Sequence, residues 1–516
     1  MQHSRRKFLG MAGACGAMRL ATPKMPSMRV PLRNDDETGV AELAADPLRP
    51  QFHLLPARNW MNDPNGPIYW NGHYHMFFQY NPNAAVWGDM HWAHSVSPDM
   101  VHWRHLPVAL SPSSGGPDQD GCFSGSTVDQ GGTATILYTG VRSVLARDAT
   151  LRDGTHNFLE TQCLATSRDP LLLTWTKLPA PVLLPPRDAK LTGFRDPCLW
   201  QEGQEWYMGI GSGQSAEGGC VLLYRSTDLR AWEYVHPLAS GKSHGKRTAD
   251  PVDSGEMWEC PDFFPLGKKR VLLYATERKV YWETGEYDRK EHVFYSEKRG
   301  LLDAGAFYAP KSQFDATERR ILWGWIPETR PEAESSAAGW AGSMSLPRVL
   351  SLAADNTLIM QFLPELAELR TREFVLPGRP QGDEARRNAL GKLRLREAAC
   401  EIELQIHREK LDLTLRNAAS PILSLAFDPG RSGAELRVGA KSAAVAATSG
   451  GEHKLRIFLD ASVAECIVDD RRALTERCYA VSKGPLRLNI LAQGLDAITS
   501  LRVWELKPIS KDRLTS

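Results

Sequence analysis

Several features are scarce in this chain, and each scarcity excludes a class of function. Charge of one sign is the first: 62 Lys and Arg face 61 Asp and Glu across 516 residues, a formal net charge of +1. No lysine–arginine tract offsets that balance, so the chain has no electrostatic footprint for nucleic acid or an anionic membrane surface. Long apolar runs are also missing; none approaches the roughly 20 residues that span a bilayer. Cysteine is sparse, with nine in all and no CxxC pair. That excludes a disulfide framework and a zinc ribbon. No HExxH pattern occurs. His73, His75, His91, His94, His102 and His105 crowd one stretch but read as core and turn histidines, and no metal site is expected.

What the chain does have is aromatic. It carries 15 Trp, 13 Tyr and 16 Phe. Such planes suit the apolar faces of sugars, although most are expected to fill a β-rich core. The length exceeds the usual 100–200 or so residues of one domain. At the amino terminus, Ser4-Arg5-Arg6-Lys7-Phe8-Leu9 precedes a small-and-apolar run, Gly10 to Met18. This resembles a twin-arginine export signal, a route for proteins already folded, and implies a periplasmic or extracellular destination. Residues 1–45 are therefore set aside as signal and leader.

From 46 to 345 the text repeats. One recurring phrase is Ser-x-Asp followed by a tryptophan: Ser97 to Trp103, Ser167 to Trp175, Ser226 to Trp232. Another is a short strand, a polar turn and an aromatic strand. It occurs at 67–78, 125–138, 197–208, 262–274 and 308–323, each a hairpin signal. Five β-repeats predict a five-bladed propeller, since radial repetition protects sheet edges. A linker with a short helix is expected over 346–374. Period-two text from 375 to 510 predicts a β-sandwich. The fold class is thus all-β, propeller then sandwich.

Three carboxylates stand out in this frame. Asp63 lies in Trp60-Met61-Asn62-Asp63-Pro64-Asn65-Gly66, Asp196 in Phe194-Arg195-Asp196-Pro197, and Glu259 in Trp258-Glu259-Cys260-Pro261-Asp262. Each stands at the entrance to the first strand of its blade, so the three should converge at one end of the axial channel. Paired carboxyl groups are the minimal machinery of glycoside hydrolysis, one protonated and one ionised. Arg195 would keep Asp196 ionised, and the weakly polar Trp258, Cys260 and Pro261 would favour a proton on Glu259.

These phrases, with Phe78-Gln79-Tyr80-Asn81-Pro82, the run 87–103, GCFSGS at 121–126, FYAPKS at 307–312, GWAGSMSLPR at 339–348 and Asp460-Ala461-Ser462-Val463-Ala464-Glu465, resemble glycoside hydrolase family 32 over about 50–508. The family comprises the β-fructofuranosidases: invertases, inulinases and levanases. The resemblance implies a retaining mechanism without cofactor, acting on terminal β-D-fructofuranosyl units of sucrose or fructans. It implies Asp63 as nucleophile, Glu259 as general acid and base, and Asp196 as transition-state stabiliser. Trp60, Asn62, Gln79, Trp87, Phe123, Ser124, Arg195 and Trp325 would shape the fructose pocket. Asp89, and Trp282 to Gly285, depart from the family wording; the first reads as a solvated loop charge or a contact to the second sugar, the second as pocket rim. Alternatives are a fructosyltransferase sharing the covalent intermediate, a non-catalytic fructan-binding protein, and an arabinan-type hydrolase.

Overall fold

The computed structural model describes residues 37–510, apart from 188–189, 247, 380–381, 408, 431–432, 449, 482–483 and 492–494. The export signal lies outside the described residues. The end of the expected leader does not: Glu37–Ala45 is a helix, and its Leu43 packs on Leu55 and Trp340. Among the described residues no helix is long and apolar enough to cross a membrane.

Five antiparallel sheets surround a channel. Their innermost strands are Asn59–Trp70, Gly121–Asp129, Leu191–Glu202, Glu259–Leu266 and Tyr308–Phe314, each paired with the next strand in sequence. All five hairpins predicted from the text are present. The Ser-x-Asp phrases explain themselves. In blade one, Ser97 Oγ accepts from Met100 N, Asp99 Oδ1 accepts from Val101 N and His102 N, and the Trp103 indole donates to the Met100 carbonyl. Blade three repeats this at Ser226, Asp228, Leu229 and Trp232. The residue after the aspartate is left-handed each time it directly precedes the turn: Met100 at φ 63° and Leu229 at φ 64°. The phrase is a side-chain-capped turn between the third and fourth strands, pinned by an indole.

The segment 346–374 differs from the expected linker. Arg348–Leu352 and Leu358–Phe362 complete blade five, and only Pro364–Leu369 is helical, as a 3-10 turn. Leu350, Leu358, Met360 and Phe362 are buried at every second position, but each strand is only five residues long, too short for the period to stand out in the sequence. Ring closure is equally non-local: Trp340–Ala341 runs parallel to Asn59 and Trp60.

The C-terminal strands form two sheets. One runs from Arg472–Arg477 through Val463–Val468, Glu452–Asp460, Ala399–His407 and Ile498–Leu506 to Arg370–Val375. The other contains Lys441–Ala446, Gly433–Val438, Pro421–Pro429, Leu411–Arg416 and Arg487–Ile490. Their inner faces share one Leu- and Ile-rich core. The first sheet is continuous with blade four through a single parallel pairing, Asp303 with Ala473.

A buried ionic clasp ties the two halves beside that seam. Asp460 accepts from the backbone amides of Gln51, Phe52 and His53 and pairs with His53 Nδ1 at 2.7 Å. His53 Nε2 meets Glu465 at 3.0 Å, and Arg348 Nη2 bridges Glu465 at 2.7 Å and Asp303 at 2.9 Å. The side chains of His53, Asp460, Glu465, Arg348 and Asp303 are fully buried.

Candidate active site

Every innermost strand breaks register at the same place. The breaks fall between Met61 and Pro64, Cys122 and Gly125, Arg195 and Cys198, Glu259 and Asp262, and Tyr308 and Lys311. Two residues in each bulge leave the ladder, which re-aims their side chains. Pro197, Pro261 and Pro310 sit there at no cost in ladder hydrogen bonds. Asp196, Cys260 and Ala309, just before them, are left-handed at φ 62°, 47° and 50°. Asp63 and Asp196 are thus bulge residues inside their strands, and Glu259 immediately precedes its bulge.

The bulges bring the three carboxylates to one cleft of about 210 Å³. Asn62, Gln79, Trp87, Phe123, Ser124, Arg195 and Trp325 line it too. Trp60 stands behind the wall: its indole donates to Asn62 Oδ1 at 2.7 Å and its ring meets Trp325 edge-on at 5.8 Å. Trp87 is 40 % exposed and lies against Phe123 and His156, an apolar rim suited to the face of a sugar.

Asp63 accepts from Ser124 Oγ at 2.7 Å, Asn62 Nδ2 at 3.1 Å and Cys260 Sγ at 3.3 Å. Burial pushes its pKa up; the Ser124 hydrogen bond opposes this and the Glu259 charge adds to it. Asp196 Oδ2 accepts from Cys260 N at 2.9 Å. Burial, with the Asp63 and Glu259 charges, pushes it up to about 7 against the pull of Arg195. Asp63 and Asp196 are thus both raised, by burial first and by neighbouring carboxylate charge second.

Two electrostatic expectations are corrected here. Arg195 stands 4.0 Å from Asp196 and does pull it toward the ionised form, but burial outweighs that pull, and the hydrogen bonds of the guanidinium go elsewhere. It donates to Glu259 Oε1, from Nη2 at 2.8 Å and Nε at 3.2 Å, and from Nη1 to Glu160 at 2.9 Å. Glu259 is consequently not in weakly polar surroundings: Tyr308 donates to its other oxygen at 2.6 Å. Of the residues flanking it in sequence, Trp258 packs into the core, while Cys260, turned by the bulge, faces the cleft and bonds Asp63. The rim expectation for Trp282 to Gly285 also fails. Those residues belong to the third strand of blade four, where Trp282 is core and Glu283 accepts from Tyr274. Asp89 is exposed, bonded to Asn83, and off the cleft wall, as a loop charge.

Four further residues carry no mark in the sequence: Thr139 Oγ1 accepts from Asp196 N at 3.0 Å, Glu160 accepts from Arg195, and Asp250 and Arg278 line the cleft. Tyr308, inside the phrase at 307–312, carried no expected role, and Cys260 was expected only as a weakly polar neighbour of Glu259. Among the described residues, one group of donor side chains is close enough to hold an ion: Asp63, Asp196 and Cys260, with atoms within 4.8 Å. Burial and the surrounding carboxylates push the Cys260 thiol well above its ordinary range, so it serves as a proton donor to them rather than as a thiolate ligand. The crowded histidines lie elsewhere. His75 and His94 are buried together, and burial lowers both, His75 to about 3, so both are neutral.

The model for the glycosyl hydrolases family 32 N-terminal domain matches residues 53–362. The chain belongs to glycosyl hydrolase family 32 and is a glycosidase. Over 499 residues it is 33 % identical to the sucrose-6-phosphate hydrolase of Escherichia coli, covering 89 % of this chain and 94 % of that one. It is 38 % identical to the raffinose invertase of Escherichia coli over 346 residues, 63 % of this chain and 66 % of that protein. Among solved structures, the Bombyx mori GH32 beta-fructofuranosidase superposes with a TM-score of 0.71 at 29 % identity, covering 91 % and 98 % of the two chains. The fructan 1-exohydrolase IIa of Cichorium intybus gives 0.73 at 26 % identity, covering 90 % and 98 %.

Proposed function

We propose that this glycosidase is a retaining β-fructofuranosidase that releases terminal fructosyl units from sucrose or fructans through a covalent intermediate. The observation that carries this reading is the convergence of Asp63, Asp196 and Glu259 in one small cleft, with different hydrogen-bond partners for each. Asp63, oriented by Ser124 and Asn62, attacks the anomeric carbon of the fructosyl ring. Glu259 gives its proton to the departing glycosidic oxygen. Its Oε2 can carry that proton only if the Tyr308 hydroxyl turns from donor to acceptor. Glu259 then takes a proton from water, which cleaves the fructosyl ester and restores Asp63. Asp196, set on the same wall, holds sugar hydroxyls and balances the positive charge of the oxocarbenium-like transition state. The rim of Trp87, Phe123 and His156 stacks on the sugar.

A panel of sucrose, sucrose 6-phosphate, inulin and levan tests this. Free fructose as the main product, with glucose 6-phosphate as its co-product from sucrose carrying the phosphate on the glucosyl C6, supports hydrolysis. Longer oligosaccharides at high sucrose would favour transfer to a sugar acceptor, and inactivity on all four would overturn the reading.

Export in the folded state belongs to the same proposal. Support comes from the eight cysteines among the described residues, all buried and free, which need no oxidising compartment to pair. Replacing Arg5 and Arg6 by Lys should retain activity in the cytoplasm on cell fractionation; unchanged periplasmic or extracellular activity would count against this route.

A further inference from the structure

Glu160 has no place in any recognisable phrase of the sequence, yet its surroundings are specific. It lies on the strand Asn157–Ser167, one strand outward from the hairpin that carries Phe123 and Ser124. It is fully buried. Oε2 accepts from Phe194 N at 2.6 Å and Thr150 Oγ1 at 2.9 Å, and Oε1 accepts from Arg195 Nη1 at 2.9 Å. The other edge of the same guanidinium grips Glu259 Oε1. One cation therefore stands between two carboxylates, one sealed in the protein and one open to the cleft. Burial opposes the charge on Arg195, but Glu160, Glu259 and Asp196 outweigh it and hold the guanidinium protonated.

We infer that Glu160 is a positioning residue for the acid–base step: it neutralises and aims Arg195, so that Glu259 keeps its proton at working pH. The inference rests on the proposed role of Glu259. An Arg in direct contact with a carboxyl group favours the anion, which is the wrong state for an acid that must protonate a leaving group. A buried counter-carboxylate on the far side of the cation offsets that pull without entering the cleft. The remaining charges facing Glu259 are Asp63, Asp196 and Asp250, all acidic, with the Tyr308 hydroxyl and the Cys260 thiol. Arg278, at the rim, pairs with Asp253 and Asp250. Arg195 is thus the cation in contact with Glu259, and Glu160 is its counterweight.

The test is the pH profile of Glu160→Gln. The amide oxygen can still accept from Phe194 N and Thr150, but the charge is gone. The alkaline limb of kcat/KM, which reports loss of the proton from the acid, should move to lower pH by about 1–3 units. Cleavage of an aryl fructoside with a good leaving group should suffer less than cleavage of sucrose. Glu160→Asp, which keeps the charge, should restore the limb. If the unpaired buried cation prevents Glu160→Gln from folding, the double variant Glu160→Gln/Arg195→Gln removes both charges. Its alkaline limb should stand at or above the parental position, however low its kcat. A parental limb in folded Glu160→Gln, or a lowered limb in the double variant, would overturn the inference. Either result with Asp63→Asn and Glu259→Gln still inactive would leave the β-fructofuranosidase reading intact; activity in those two would remove that reading itself.

Discussion

Asp63→Asn is expected to lower kcat on sucrose by on the order of 10⁴–10⁶-fold while leaving the fold intact, the size of effect seen when a covalent nucleophile is removed. The substitution keeps the shape of the side chain. An amide oxygen can still accept from Ser124, and the carboxylate crowding around Asp196 and Glu259 is relieved, since the Asp63 charge is one of the causes that raise Asp196. What disappears is the ability to form the fructosyl ester. KM should change far less than kcat, because the wall formed by Trp87, Phe123 and Ser124 is untouched. Quantifying released fructose, with a thermal melt to verify folding, decides it. Turnover at the parental rate would mean that Asp63 is not the nucleophile.

The second large effect lies away from the cleft, in the clasp between propeller and sandwich. Arg348→Met should destabilise the protein by about 3–5 kcal/mol, the usual result of stranding one side of a buried ion pair. Asp303 and Glu465 would both lose their cation, and His53 alone would face Asp460 and Glu465. The same clasp gives stability a pH dependence. Burial opposes a charge on His53, but hydrogen bonds and charge from Asp460 and Glu465 prevail and raise it from 6.5 to about 9. Because the folded value is the higher one, this contribution is complete below pH 6.5 and is lost as pH climbs through about 9. The parental unfolding midpoint should therefore decline over that window, and His53→Gln should flatten the decline. Parental stability in Arg348→Met, measured by chemical denaturation, would show that the clasp is dispensable.

Much of this architecture was legible because propeller hairpins are local. Asn71-Gly72 between Trp70 and His73 announces its turn within a dozen residues, and the Ser-x-Asp phrases close on their own backbone. The site was legible where a bulge carries its residues next to a proline, as at Asp63 and Asp196. Contacts made around the ring were not. Nothing near Arg195 in sequence indicates that it reaches Glu160 on one side and Glu259, 64 residues ahead, on the other. The outer strands of blade five were hidden for a related reason: they come after the loop and helix at 327–339, so they resemble a linker. The late phrase Asp460 to Glu465, conspicuous as text, turned out to serve the clasp rather than the cleft.

The shared bulge has one more consequence. With the same two-residue bulge, and the one-residue register shift it brings, in each inner strand, the cleft wall has a common address in every blade: 62–63, 123–124, 196–197, 260–261 and 309–310. What occupies an address can change while the ladder on both sides keeps its pairing. Chemistry and scaffold are therefore separable in this molecule. The addresses in blades two, four and five present Phe123-Ser124, Cys260-Pro261 and Ala309-Pro310 rather than acids; Ser124 and Cys260 are tied to Asp63, which leaves Phe123 as the wall position where specificity can drift with least disturbance to the carboxylates.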